Sequence, residues 1–306
     1  MNSATTLHLV FTMNCLPPGD HADIPGPRSW EEAREATRNC ARTLSDLSLA
    51  GTFFVETEAA AELVETVREY GGRQAETGLL CHPQLHGYQN CLGSYRMDRQ
   101  REIINLVATG WENRVGRRPA AFRPGFFSAN DYTYQVLCLE GFTEGSCSLP
   151  GKVDLDRCTR WDNTFPFPHH TDPLDRRASG TMEFFEVPVS SDFEATGQTD
   201  SEMFIPHYLR IEQGSATEQE TQLVRSLLER MEQEKMRVRV LTFVTSNRSG
   251  WDEHQNVLAK RVEKLVKITE NAAREYDLEV SSTTLADIHA HADEVWNGRE
   301  TLNGAE

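Results

Sequence analysis

Apolar positions along the chain follow two alternating rhythms. Short runs rich in β-formers, TLHLVFTM, TFFVE, TGLLCH, AAFRPG, FTEGSCS and VRVLTFVT, predict buried strands, with a shorter one near LEVSS. Between them lie segments with apolar residues at helical spacing. WEEAREATRNCARTLSDLSLAG opens on a capping box of Ser29 and Glu32 and closes at Gly51. EAAAELVETVREYGG is capped by Thr57 and ends at Gly71 and Gly72. Further helices are predicted over roughly Tyr95 to Asn113, within NDYTYQVLCLEGF up to Gly141, over Glu218 to Lys235, over Asp252 to Tyr276, and from Leu285. From Leu149 to about Ser215 the rhythm breaks into a stretch rich in Pro, Asp and aromatics, with one strand-like run, MEFFEVPVS.

Strands alternating with helices imply a mostly parallel sheet with crossover helices, and so an α/β fold. The number of such units favours a barrel over an open sheet. The expectation is one domain over 1–298 with an irregular insertion over about 149–215, and a tail at 299–306. In either architecture, chemistry belongs at the C-terminal ends of the strands. The unusual residues fall there: Asn14 and Cys15 after the first strand, His82 and His86 after the third, Arg123 after the fourth, and Thr245 to Asn247 on a late one.

Charge narrows the partners. With 47 acidic against 31 basic residues the net charge is −16, which repels a phosphate backbone and argues against nucleic acid. No apolar run reaches the roughly 18 residues of a membrane span. The N-terminus carries no export signal, so the expected location is the cytoplasm and the expected partner a small-molecule or saccharide substrate. Seven cysteines without a C-x-x-C predict free thiols.

Two imidazoles four residues apart, His82 and His86, can share one face of a helical turn and point at one ion. Such an ion would lower the pKa of a bound water and polarise a carbonyl. Cys15 is either a thiolate ligand or a small buried hydrophobe. Arg123, which stays charged, needs an anion if buried: Asp131, or a substrate carboxylate held bidentately. Tyr88, Tyr95, Phe126, Phe127, Tyr132, Trp161, Phe165 and Phe167 gather around the presumed mouth; Tyr88, Phe126 and Trp161 are the candidate ring contacts to substrate.

The order of these motifs resembles the polysaccharide deacetylase family (NodB-type, carbohydrate esterase 4). HLVFTMNCLPPG is similar to its first motif, ETGLLCHPQLHGY to its H-x-x-x-H motif, FRPGFFSAND to its arginine motif, and TLADIHAHADEV to its closing helix. The resemblance implies a distorted (β/α) barrel of about seven parallel strands and metal-assisted hydrolysis of an amide. His82 and His86 would then be Zn²⁺ ligands, and Arg123 would orient a catalytic carboxylate on the first strand. The chain departs from that pattern in two places. Asn14 and Cys15 replace the acidic pair, and TFVTSNRSG lacks the late histidine that serves as acid. Replacement groups could come from Asp20, His21 and Asp23, from His169 and His170, or from His207. The expected function is hydrolysis of a non-peptide C–N bond, with Asn14, Arg123 and His207 at the centre and Zn²⁺ on His82, His86 and Cys15. The alternatives are a barrel that binds ligand without turnover, and a metal-independent, allantoinase-like amidohydrolase in which Asn14 holds a substrate amide.

Overall fold

The predicted apolar runs pair as strands of one curled sheet. The computed structural model describes residues 6–21, 24–194, 202–212, 217–248, 251 and 257–303. In chain order the elements are β1 (Thr6–Cys15), α1 (Trp30–Asp46), β2 (Gly51–Glu56), α2 (Ala60–Gly71), β3 (Ala75–Cys81), α3 (Met97–Val115), β4 (Ala121–Pro124), α4 (Thr133–Leu139) and β5 (Glu144–Gly145). There follow β6 (His169–His170), β7 (Phe185–Glu186), α5 (Thr217–Gln233), β8 (Arg239–Ser246), α6 (Val257–Arg274), β9 (Glu279–Ser282) and α7 (Leu285–Asn303). The first five residues of the helix predicted from Asp252, like Asp23, lie outside the described residues.

The strand order is β6-β7-β5-β4-β3-β2-β1-β8, with β9 also on β1. All pairings are parallel except β6 with β7. β1 is the hub. β8 runs along one side from Leu7 to Asn14, while β9 takes Thr6–Leu9 and β2 takes Phe11–Cys15 on the other. Closure is left to irregular chain. Val189 N–H donates to Ser148 O, and Ser190 binds Thr242 of β8 through both its N–H and its Oγ. The sheet is therefore the distorted (β/α) barrel expected from the sequence, with its last seam made by the supposed insertion.

Alternation along each strand sorts side chains between two cores. Leu7, Leu9, Phe11, Met13 and Cys15 of β1 face the helices, whereas Val10 faces the barrel interior with Phe54, Leu80, Ala121 and Val240. α7 plugs the end of that interior where the strands begin, through Leu285, Ile288, Ala292 and Val295. Its first turn donates N–H groups of Leu285 and Ala286 to the Glu76 carboxyl group, which burial raises to about 7 against the pull of those bonds. Among the described residues no helix is long and apolar enough to cross a membrane.

Candidate functional site

At the opposite end, where the strands finish, lies a cavity of about 410 Å³. Asn14, His82, Phe126, Phe127, Thr245 and Ser246 line it from the barrel rim. Lys152, Asp154, Arg157, Met203 and Ile205 come from the irregular segment, and Tyr208, Arg210 and Arg248 complete the wall. Residues 153–154, 159–160 and 203–204 form a small antiparallel sheet that carries this roof.

Arg123 forms the layer beneath. It is fully buried and crosses the barrel interior from β4 to β1. Nη1 donates to Thr12 Oγ1 and Asn14 Oδ1, each at 3.0 Å, while Nε and Nη2 donate to Ser146 O at 2.9 Å and Ser146 Oγ at 2.7 Å. Its guanidinium sits 4.3 Å from the centre of the Phe54 ring, within cation–π range. The expected anion is absent from this set, because Asp131 pairs with Arg176 instead. Burial pushes Arg123 down to about 9, opposed by its interactions with Cys147 and Glu186. Glu186 is the buried carboxylate of this region. It accepts from the N–H groups of Cys147 and Ser148 and from Ser148 Oγ, and burial raises it to about 6. The cation and its counter-charge are thus separated by the 146–148 backbone.

The two histidines sit in different surroundings, and of the two His86 is tied to a carboxylate. His82 has extended backbone (φ −109, ψ 98) and precedes a 3₁₀ turn over Pro83–His86. Such a turn advances about 120° per residue, so residues four apart do not share a face as they do in an α-helix. His82 packs edge-on against Phe126 and close over Gly125, where a Cβ would stand 2.2 Å from its Nδ1. That Nδ1 is buried without a hydrogen-bond partner. Burial, then the charges of Arg157 and His86, lower the His82 ring to about 3. His86 Nε2 instead donates to Glu56 Oε1 at 2.7 Å. Burial alone would lower His86, but the Glu56 hydrogen bond and charge outweigh it and the pKa is raised.

These donors do not fit a zinc ion. Cys15 faces α1, where its Sγ accepts from Thr37 Oγ1 at 4.0 Å, and burial raises the thiol to about 12. Adjacent strand residues point to opposite faces, so Asn14 and Cys15 cannot serve one site. Among the described residues, no group of three His, Cys, Asp or Glu donors contains His82, His86 or Cys15.

Other expected contacts are also reassigned. Trp161 is fully buried and donates from Nε1 to Phe127 O at 2.7 Å. Tyr88 lies outside the cavity, edge-on to Tyr95 with Arg99 over its face. The ring of His207 does not line the cavity; its backbone O accepts from Asp192 N–H. His170 pairs with Asp293 of α7 at the other end of the barrel, and His169 keeps its Nδ1 on Phe167 O with its ring edge-on to Phe165. Phe126 does line the cavity, on a strained turn. Phe126 and Phe127 both have positive φ, 59° and 61°, at a cost of about 1–2 kcal/mol each. Lys152 Nζ and Thr159 Oγ1 donate to Phe126 O, and Trp161 holds Phe127 O, fixing the turn. Arg157 stacks 3.8 Å from the Phe126 ring centre.

Sequence reasoning missed Lys152, Arg157, Arg210 and Arg248, the four Lys and Arg side chains among the described lining residues, which carry one lining carboxylate, Asp154. The signal for Lys152, Arg157 and Arg210 was basic charge inside a segment of no regular pattern, and for Arg248 its place just past the end of β8. Arg157 pairs with Asp154 and Arg210 with Glu212. Lys152 donates to the Phe126 carbonyl, its Nζ lies 5.6 Å from the Phe127 ring centre, and burial lowers its pKa to about 8.

The fold is similar to that of solved structures assigned as polysaccharide deacetylases. A Mycobacterium smegmatis protein assigned as a polysaccharide deacetylase has a similar structure, with TM-score 0.60 and 17% identity over 97% of this chain and 92% of its own. One from Pseudomonas aeruginosa PAO1, assigned likewise, gives TM-score 0.57 and 14% identity over 96% and 93%. Puue allantoinase gives 0.51 and 13% over 95% and 91%. No protein-family model and no curated protein matches the sequence.

Proposed function

We propose that this deacetylase-fold barrel binds a small anionic, amide- or saccharide-like molecule in the rim cavity, and that it does not perform metal-assisted deacetylation. The observation that carries the reading is the excess of cationic side chains in a cavity of a strongly acidic protein. An anion there meets Lys152, Arg157, Arg210 and Arg248 with apolar walls from Phe126, Met203 and Ile205, so charge can hold one part of a small molecule and ring or aliphatic surface another. Asn14 presents an amide from the rim, held by Arg123. It can hydrogen-bond a ligand amide but cannot take a proton from water as a carboxylate would.

A second reading, metal-free hydrolysis of a C–N bond, is favoured by one observation. A buried lysine lowered to about 8 is poised to exchange a proton near neutral pH.

The test uses the full chain with a uronate, an N-acyl amino acid and inorganic phosphate as probes, followed by calorimetry. Binding of an anion that weakens about tenfold or more in Lys152→Met, and weakens as pH rises through about 8, is expected. Neutral N-acetylated sugars binding as tightly as charged ones would overturn it. Release of acetate on adding Zn²⁺, lost in His82→Ala, would overturn the second clause. Metal-independent turnover lost in Lys152→Met would establish the second reading.

A further inference from the structure

The closing helix carries chemistry that the rim cavity does not use. His289 and Asp293 stand four apart on α7, so both project from one helical face. His289 Nε2 lies 3.6 Å from Asp293 Oδ2. His170, on the edge strand β6, brings its Nε2 to 2.9 Å from Asp293 Oδ1. One donor atom from each of the three lies within 4.8 Å of the others. Ligands of a tetrahedral zinc at bond lengths near 2.0–2.1 Å stand about 3.3–3.5 Å apart, and the two Nε2–carboxylate separations, one to each Asp293 oxygen, lie either side of that spacing.

The surroundings fix the rings for this purpose. Glu144, nearly buried at the start of β5, accepts from His289 Nδ1 at 3.2 Å. That bond places the proton on Nδ1 and leaves the Nε2 lone pair facing Asp293 and His170, the arrangement by which a carboxylate orients a metal-binding imidazole. Phe185 stacks on the His289 ring at 4.7 Å and 3°. The His170 ring is flanked by Phe185 and Trp296, each with its centroid at 5.5 Å. His170 and His289 are 23% and 16% exposed and Asp293 44%, so an ion can enter from solvent.

We propose that His170, His289 and Asp293 bind one divalent transition-metal ion of the zinc type, with Glu144 as a positioning residue. The ion clips α7 to the edge strand at the end of the barrel away from the cavity. The site lies apart from the rim histidines: His8, whose ring packs at a tilt against His291 of α7, is six residues before Asn14 on β1, about 20 Å along the strand.

The test adds Co²⁺ alone to the full chain after chelator treatment, and reads visible d–d absorption and the melting temperature. Wild-type protein and the double variant His82→Ala with His86→Ala are expected to take up one equivalent, give tetrahedral bands and melt higher with metal. In Asp293→Asn and His289→Ala the bands and the melting shift are expected to disappear. Glu144→Gln should weaken binding about 10–100-fold without abolishing it. Should His289→Ala fail to fold, the half-exposed Asp293→Asn decides. No cobalt uptake overturns the proposal, as does uptake unchanged in Asp293→Asn or lost on removing the rim histidines.

Discussion

Asn14 and Arg123 define this molecule at the scale of single residues. A guanidinium buried among a threonine hydroxyl, a serine and an asparagine amide keeps its hydrogen bonds but lacks an adjacent opposite charge. A carboxylate at position 14 would supply that charge where the cation already sits desolvated, so the usual burial cost of an ion pair falls on only one new group. Asn14→Asp is therefore expected to stabilise the fold at neutral pH by about 1–3 kcal/mol. The sign with pH follows. Beside Arg123 the new carboxyl would have a depressed pKa when folded, so the gain is full above the unfolded value near 3.9 and is lost as pH falls through the folded one. Urea unfolding of both proteins at neutral and acid pH checks this; a variant less stable at neutral pH would show that Glu186 already balances the charge. The sequence alone places both residues at strand ends. Their contact, across 109 positions, exists only because the barrel curls β4 round to β1.

Among the elements, the turn after β3 shows most clearly where pattern reading succeeds and fails. The helices form where the apolar spacing predicts them, and Ser29 caps α1, accepting from Glu32 N–H. Glu32 in turn accepts from Arg28 N–H, one residue before the cap. At α2 the cap differs: Thr57 Oγ1 donates to Val107 O, and Glu56 accepts from Glu58 N–H ahead of the helix. The same Glu56 holds His86. A spacing of four suggests one helical face, but Pro83 opens a 3₁₀ turn and the two imidazoles part. Because His86 has a raised pKa, its pairing with Glu56 stabilises fully below the unfolded histidine pKa near 6.5 and fades as pH rises through the folded value. The stability advantage of the wild type over His86→Gln should thus shrink from acid towards alkaline pH. A difference that grows with pH would place His86 in another role.

The whole molecule is a parallel barrel that is regular on one side and improvised on the other. β1, β2 and β3 are long and flanked on both sides, whereas β5, β6 and β7 have two residues each and the seam to β8 rests on Val189 and Ser190. Native-state hydrogen exchange should find Phe11 to Met13 among the slowest amides. Phe185, Val187 and Ser190 should open at lower free energy, since few ladder bonds must break to expose them. Equal protection on both sides would mean that the barrel opens as one unit. This asymmetry also shapes the cavity, because the irregular side folds over the rim and carries Lys152, Asp154 and Arg157 into it.

What the sequence by itself determined is what local periodicity encodes: the strands, the helices between them, their parallel order, and the end of the barrel where Asn14, His82 and Arg123 gather. Hydrophobic spacing is a property of neighbours along the chain, and those assignments need nothing more. Only the tertiary structure decided which side chains meet. It turned Cys15 and Trp161 into the core, gave His86 to Glu56, surrounded Arg123 with neutral groups, and brought His170 of an edge strand against a helix 119 residues later. Such contacts depend on the curvature of the sheet and the path of an aperiodic segment, and no pattern within a short window of residues carries either.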